Sequence, residues 1–327
     1  MAHQVDTMAY VNATPWHQLG QRLTPQQPIE VWSREAGMDF TIMEAPVLFS
    51  AKGLAGLEGP QGVEGMPASS FPDQKVLYRS DSGSPLSIVS ARYQVVQPAE
   101  ILEFYRDLTE VAGFELETAG VMKGGRKLWA LARTHRSSAL KGNDVMQAYL
   151  LLATGCDGTL ATTAQFTSVR VVCNNTLAMS LDQATGAVKV PHRCSFDAQA
   201  VKQQLGITVP VWDSFMYRMK MLSERKVKAQ EVERFLLRLF NDAEQHSDEQ
   251  ANGRAMKKVL ALFEGQGLGA ELSSSKSTAF GLLNAVTQFV DHERRARSAD
   301  HRRDSAWFGQ GATLKQKALD QAWEMVV

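Results

Sequence analysis

The sequence predicts an α+β fold, a twisted antiparallel sheet with packed helices followed by a helical C-terminal subdomain. Extended segments in the first two hundred residues are broken by the turn-formers Gly124-Gly125 and Asp157-Gly158, and sequential hairpins of this kind pair antiparallel with their neighbours. Apolar residues at 101, 102, 104, 105, 108 and 111 have helical spacing, which supplies a helix to cover one face of that sheet. From Phe196 onward the apolar period becomes helical throughout, without a repeat of constant length. The change divides the chain into an antiparallel-sheet domain over 1–200 and a helical subdomain over 201–327.

Near the start, Pro28 can open and Gly37 can close a short helix in "PIEVWSREAGMDF". The stretch from 50 to 72, crowded with Gly, Pro and Ser, reads as a flexible loop or crossing between strands. "KVLYRSDSGSPLSIVSARYQVV" gives two strands around a Ser-Gly turn. The helix over 98–112 follows, with Pro98 in its first turn, Glu100 and Glu103 at its positive end and Gly113 to stop it. Four extended segments form two hairpins, so that one sheet is expected over 76–172. Six helical segments then run from "DAQAVKQQLG" to "LKQKALDQAWEMVV".

Thirty-five basic residues balance thirty-five acidic ones among 327, so no global field holds a polyanion and any nucleic-acid role must rest on a local patch or a multimeric array. The three cysteines, Cys156, Cys173 and Cys194, lack CxxC spacing, and neither a secretory leader nor a membrane-spanning run is present, which points to the cytoplasm.

Two stretches concentrate basic side chains. The hairpin "GVMKGGRKLWALARTHRS" carries Lys123, Arg126, Lys127, Arg133 and Arg136 with Trp129 among them and no acid. Cations for a backbone and a ring face for a base suit a groove for single-stranded nucleic acid; the alternative is a solvated hairpin with Trp129 in the core. In "TSVRVVCNNTL", alternation sets Arg170 opposite Val169 and Val171, where it must be solvated, paired or used. Asn174 or Asn175 suits the N-cap of a helix starting "NTLAMSL", and a guanidinium beside that helix start would suit a phosphate. Cys173 has no His near it in sequence and reads as packing rather than as a nucleophile.

No nucleotide loop of the GxxxxGK[ST] kind, HExxH motif or Ser/His/Asp order stands out, and no cofactor or catalytic constellation is indicated. "DHERRARSADHRRD" sets Asp291, His292, His301 and Asp304 among five arginines; the histidine spacing is poor for a metal, and four acids nearly cancel the arginines, as on a salt-bridged helix surface.

Four segments in order, "MAYVNATPWHQLG", "RYQVVQPAEILEF", "TSVRVVCNNTL" and "LLNAVTQFVDHERRARS…SAWFGQG", resemble the phage/plasmid-like protein family, which is defined by a domain of unknown function. The resemblance spans nearly the whole chain and implies a mobile-element origin in a bacterial host cell; it hands over no catalytic residues. The layout, a helix opening at "YQVVQP", antiparallel hairpins and then "NNTL", is also similar to the core of the Rad-type single-strand annealing proteins, usually multiplied into rings. That likeness implies a groove lined by the basic hairpin and Arg170, and a homo-oligomer. The expectation is a single-stranded nucleic-acid-binding protein that assists recombination or replication by annealing-type binding. The alternatives are an interaction protein that targets a host factor, and a metal-assisted phosphoesterase using Asp291, His292 and His301.

Overall fold

A computed structural model describes residues 7–11, 20–49, 69–110, 113–173, 175–179, 187–205, 208–241 and 249–327. The strands are β1 (Met8–Tyr10), β2 (Gln21–Arg22), β3 (Ile42–Phe49), β4 (Ser69–Arg79), β5 (Pro85–Ser90), β6 (Glu115–Met122), β7 (Lys127–Ala139), β8 (Val145–Gly155), β9 (Thr162–Arg170), β10 (Asn175–Ala178) and β11 (Ala187–Val190). Helices α1 (Ile29–Glu35) and α2 (Pro98–Glu110) lie among them. The C-terminal part holds α3 (Ala198–Leu205), α4 (Thr208–Glu224), α5 (Ala229–Asn241), α6 (Glu249–Ala261), α7 (Ala279–Gln288), α8 (Ala299–Phe308) and α9 (Gln310–Glu324). The fold is α+β with a mostly antiparallel main sheet.

That sheet has the order β10-β9-β8-β7-β6-β1-β2. Consecutive hairpins build β6 to β9, because the Lys123–Gly125 turn and the Asp157-Gly158 turn reverse the chain where the sequence places its glycines. Two short strands share the outer edge of β9: β10 pairs its last residues, Asn175 opposite Arg170, and β11 pairs its first, Val190 opposite Thr162. At the other side β1 adds antiparallel to β6, with Met8 opposite Gly120; a Cβ on Gly120 would press into Met8.

Three features differ from the sequence expectation. The strands at 76–90 do not join the main sheet: β4 pairs with β3 and β5 in a separate three-stranded sheet. Alternation identifies a strand but not its neighbour, and here Ile42–Phe49 supplies the partner. Residues 69–72, expected in the loop, belong to β4, where Phe71 lies opposite Val47; residues 50–68 fall outside the described chain. "NTLA" is strand β10 rather than a capped helix. The chain turns at 171–173, with Cys173 N–H bonded to Arg170 C=O at 3.3 Å, and the β9 ladder satisfies the backbone groups that a cap would have served.

Helix α2 packs on β6 and β7, and the Tyr105 hydroxyl reaches Ala130 C=O at 2.8 Å. Helices α7 and α9 pack on β10. The apolar core is one cluster that runs from Met8 in the sheet to Ala322 in α9, so it is continuous across the change to helices near residue 200. No helix among the described residues is long and apolar enough to cross a membrane.

Candidate nucleic-acid interface

The β6–β7 turn is tight because Lys123 and Gly124 both take left-handed backbone, with φ 55° and 74°; Gly124 meets that demand without strain, whereas Lys123 has a Cβ to accommodate. The turn brings Lys123 and Lys127 together at its two ends, and both ammonium groups donate to the carboxylate of Asp304 on α8. Burial raises the Asp304 carboxyl, but the hydrogen bonds from the two lysines outweigh it and hold the group below its ordinary value. Arg126, between them, is exposed.

The other members of the hairpin set do not line a groove. Trp129 is fully buried and meets Trp307 of α8 edge to face, with centroids 4.9 Å apart, so it offers no ring face to a base. Tyr93, the aromatic side chain next to Arg92, is no freer: it is stacked on His192 at 4.4 Å and donates to Gly155 C=O at 2.6 Å. Arg133 pairs with Glu115, its cross-strand neighbour, and Arg136 sits half-buried where the β7 ladder slips between Arg133 and Ser137. Basic side chains spaced closely in sequence were sent to different surroundings by strand alternation and by the bulge.

Arg170 is an interior residue. Its Nε and Nη2 reach the two Asp144 oxygens at 2.8 Å each, and Nη2 also meets Ser275 Oγ at 2.7 Å and Gly269 C=O at 3.2 Å. Ser274 donates to the same carboxylate. Asn175 is buried too, donating to Asn284 C=O at 3.2 Å. These residues pin the sheet edge to α7 and the segment before it; they are removed from the candidate interface because a partnered guanidinium at 1% exposure presents nothing to solvent. Asn174 lies outside the described residues.

The residues of the phosphoesterase alternative are dispersed. Asp291 is buried, accepting from Thr176 N–H at 2.7 Å, Thr176 Oγ1 at 3.0 Å and Lys315 Nζ at 2.8 Å. His301 is exposed at the start of α8, against Ser298. Among the described residues, no group of three or more His, Cys, Asp or Glu side chains is placed to hold a metal ion. Burial pushes the Cys173 thiol up to about 11 and the Cys156 thiol up to about 12, which suits packing rather than nucleophilic attack.

The turn end of the main sheet carries a different set of cations on adjoining segments. Cys156 N–H bonds to Arg126 C=O at 2.8 Å, tying the β8–β9 turn to the β6–β7 turn. His192 bridges the same region, with Nε2 3.0 Å from Leu160 C=O and Nδ1 2.9 Å from Gln94 C=O. Lys189 is two residues before the Pro191-His192 turn and opposite Thr163. Arg92, Arg126, Lys189 and Arg193 are thus carried by segments that touch one another; all four are exposed and none forms an ion pair among the described residues. Arg126 had been anticipated. Arg92, Lys189 and Arg193 had not, since Arg92 stands alone in its stretch and Lys189 and Arg193, four positions apart, are too few to mark a basic cluster. Asp144 and Asp304 were missed as the acids that neutralise the predicted set, and so was Glu117, a buried carboxylate at a β6 bulge; burial, and after it the charge of Glu117, drives the Tyr149 phenol well above its ordinary value.

No curated protein and no solved structure matches the chain. A family model does: the one described as a domain of unknown function, DUF932, matches residues 85–307, which takes in the chain from β5 to α8. Because that match covers more than half of the 327 residues, the chain belongs to the DUF932 family.

Proposed function

We propose that the chain binds single-stranded nucleic acid through the turn end of its main sheet and assists the replication or recombination of a phage or plasmid, as a homo-oligomer in the bacterial cytoplasm. The observation that carries this reading is the set Arg92, Arg126, Lys189 and Arg193, exposed cations on adjoining turns and on the short strand β11 of a chain with zero formal net charge. Cations on separate turns follow a flexible backbone and read no base edges, so binding is non-specific and strongly salt-dependent. Base stacking contributes little here, because Trp129 and Tyr93 are both occupied inside the fold. The resemblance to phage and plasmid proteins supplies the biological setting, and multiplication into a ring would repeat the weak site of one neutral protomer.

The test is fluorescence anisotropy of a labelled oligonucleotide across a salt series, with particle mass from light scattering. The expected result is binding that weakens with salt and is lost on Arg126→Glu combined with Arg193→Glu, two exposed positions that leave the core untouched. Wild-type affinity in that double variant would overturn the assignment.

A second reading has one observation in its favour. The three-stranded sheet exposes Leu48, Phe49, Phe71 and Ile88, at 47%, 47%, 41% and 58%, which is the kind of apolar surface that contacts another protein. A host factor retained at fixed stoichiometry by the wild type and released by Phe49→Ser with Phe71→Ser would favour it.

A further inference from the structure

The carboxylate of Asp304 receives two ammonium groups, from Lys123 and Lys127, at the turn that also carries Arg126. Two lysine donors converging on a pair of anionic oxygens are the same donor set that lysines offer to a phosphate. The trio is not sealed in the core. The Lys123 and Asp304 side chains remain 23% and 17% exposed, and only Lys127 is nearly closed off, at 5%. Lys123 adopts left-handed backbone, unusual for a residue with a Cβ, and this conformation holds its side chain at the same end of the hairpin as Lys127.

We propose that Asp304 occupies a phosphate position formed by Lys123 and Lys127 and continued outward by Arg126, and that it acts as a built-in competitor for nucleic-acid phosphate. The inference rests on the nucleic-acid reading above and adds its regulation. Asp304 is tethered to its site by α8, so a free anion competes against a high effective concentration and loses. A nucleic-acid strand already held at Arg126 is tethered as well, and its neighbouring phosphate competes on equal terms. Displacing the carboxylate requires a change of side-chain rotamer at a partly exposed position, not the removal of α8, whose Trp307 stays packed on Trp129. Affinity in the native chain is therefore held down and made dependent on strand length.

The experiment compares the wild type with Asp304→Asn, which keeps the shape of the side chain and removes its charge. One probe is inorganic phosphate, read by thermal unfolding against chloride at equal ionic strength. The other is the labelled oligonucleotide across a salt series. The expected result is a phosphate-dependent rise in melting temperature for the Asn variant that the wild type lacks. Oligonucleotide binding should be about tenfold tighter, with a salt slope steeper by one to two phosphate contacts, roughly 0.7 to 1.4 in log–log terms. A variant whose melting temperature ignores phosphate overturns the site. Phosphate stabilisation of the variant without oligonucleotide binding by either protein upholds the anion site and overturns its role as a competitor for nucleic acid. Should Asp304→Asn be recovered unfolded, refolding is the readout: rescue by phosphate but not by chloride upholds the site, and no rescue overturns it.

Discussion

Arg170 and Asp144 face each other through two hydrogen bonds of 2.8 Å, and neither side chain is more than 1% exposed. The pair is closed by Ser274 and Ser275, which arrive from more than a hundred residues away, so it joins β9 to the segment that precedes α7. Removing one partner leaves a buried charge without compensation. Asp144→Ala is expected to destabilise the fold by about 3–5 kcal/mol, whereas the paired replacement Arg170→Met with Asp144→Leu should recover most of that loss. Urea unfolding of the three proteins checks this; equal losses in the single and double variants would contradict it.

Thr176 serves the second buried pair. Its hydroxyl meets Asp291 at 3.0 Å and Lys315 at 3.0 Å, and Lys315 also reaches Thr176 C=O at 2.8 Å. Thr176→Val keeps the shape and takes one hydrogen bond from each of two buried charged partners, which stay paired with each other, for an expected cost of about 1–3 kcal/mol in chemical denaturation. A neutral outcome would mean that water replaces the hydroxyl.

Trp129 discriminates between the sequence reading and the structure. As a core residue packed on Trp307, its replacement by Ala is expected to cost about 3–5 kcal/mol of stability. Oligonucleotide affinity of the folded fraction should not change. A selective loss of affinity with unchanged melting temperature would restore it as a base-stacking residue.

The lowered carboxyl of Asp304 has a defined effect on acid stability. Its contribution is fully present above the unfolded carboxylate value near about 4 and is lost as pH falls through the lower folded value, because protonation there breaks the bonds from Lys123 and Lys127. Asp304→Asn should melt lower than the wild type at neutral pH and converge with it once the pH has fallen through the lowered folded value. A constant gap over the whole range would show that the charge is not what matters.

The cysteines separate by environment. Cys194 is exposed, while Cys156 and Cys173 are buried with thiols raised by that burial. A thiol reagent at neutral pH is expected to titrate one group in the native chain and all three in denaturant. Rapid reaction of a second thiol would indicate opening of the β9–β10 turn, where Cys173 sits.

The legible parts of the fold were those that rest on local spacing. Helix α2 follows from its apolar period and from Pro98 and Gly113, the latter at φ 68°, as a stop requires. The hairpins of β6 to β9 follow from their turns. Strand β10 did not, because Asn-Asn-Thr is as good a cap as it is a strand start, and only the pairing of Asn175 with Arg170 decides between them. The site was less legible for the same reason. A sequence shows how many acids and bases a stretch contains, but not which of them meet. Asp304 was counted against the arginines beside it, and it partners lysines 181 and 177 positions away. The exposed set of Arg92, Arg126, Lys189 and Arg193 comes from three separate parts of the chain, whose adjacency leaves no trace in spacing.

The bond between Lys315 and Thr176 spans 139 positions and carries a consequence for biosynthesis. At about 5–20 residues per second, a ribosome that has finished β10 needs roughly 7–28 s to add Lys315. Throughout that interval Thr176 lacks both the ammonium and the carboxylate that hold it, and the apolar side of the nascent sheet awaits α7 and α9. The growing polypeptide is thus expected to keep that apolar side uncovered, open to solvent or to a holding chaperone, until α9 has emerged.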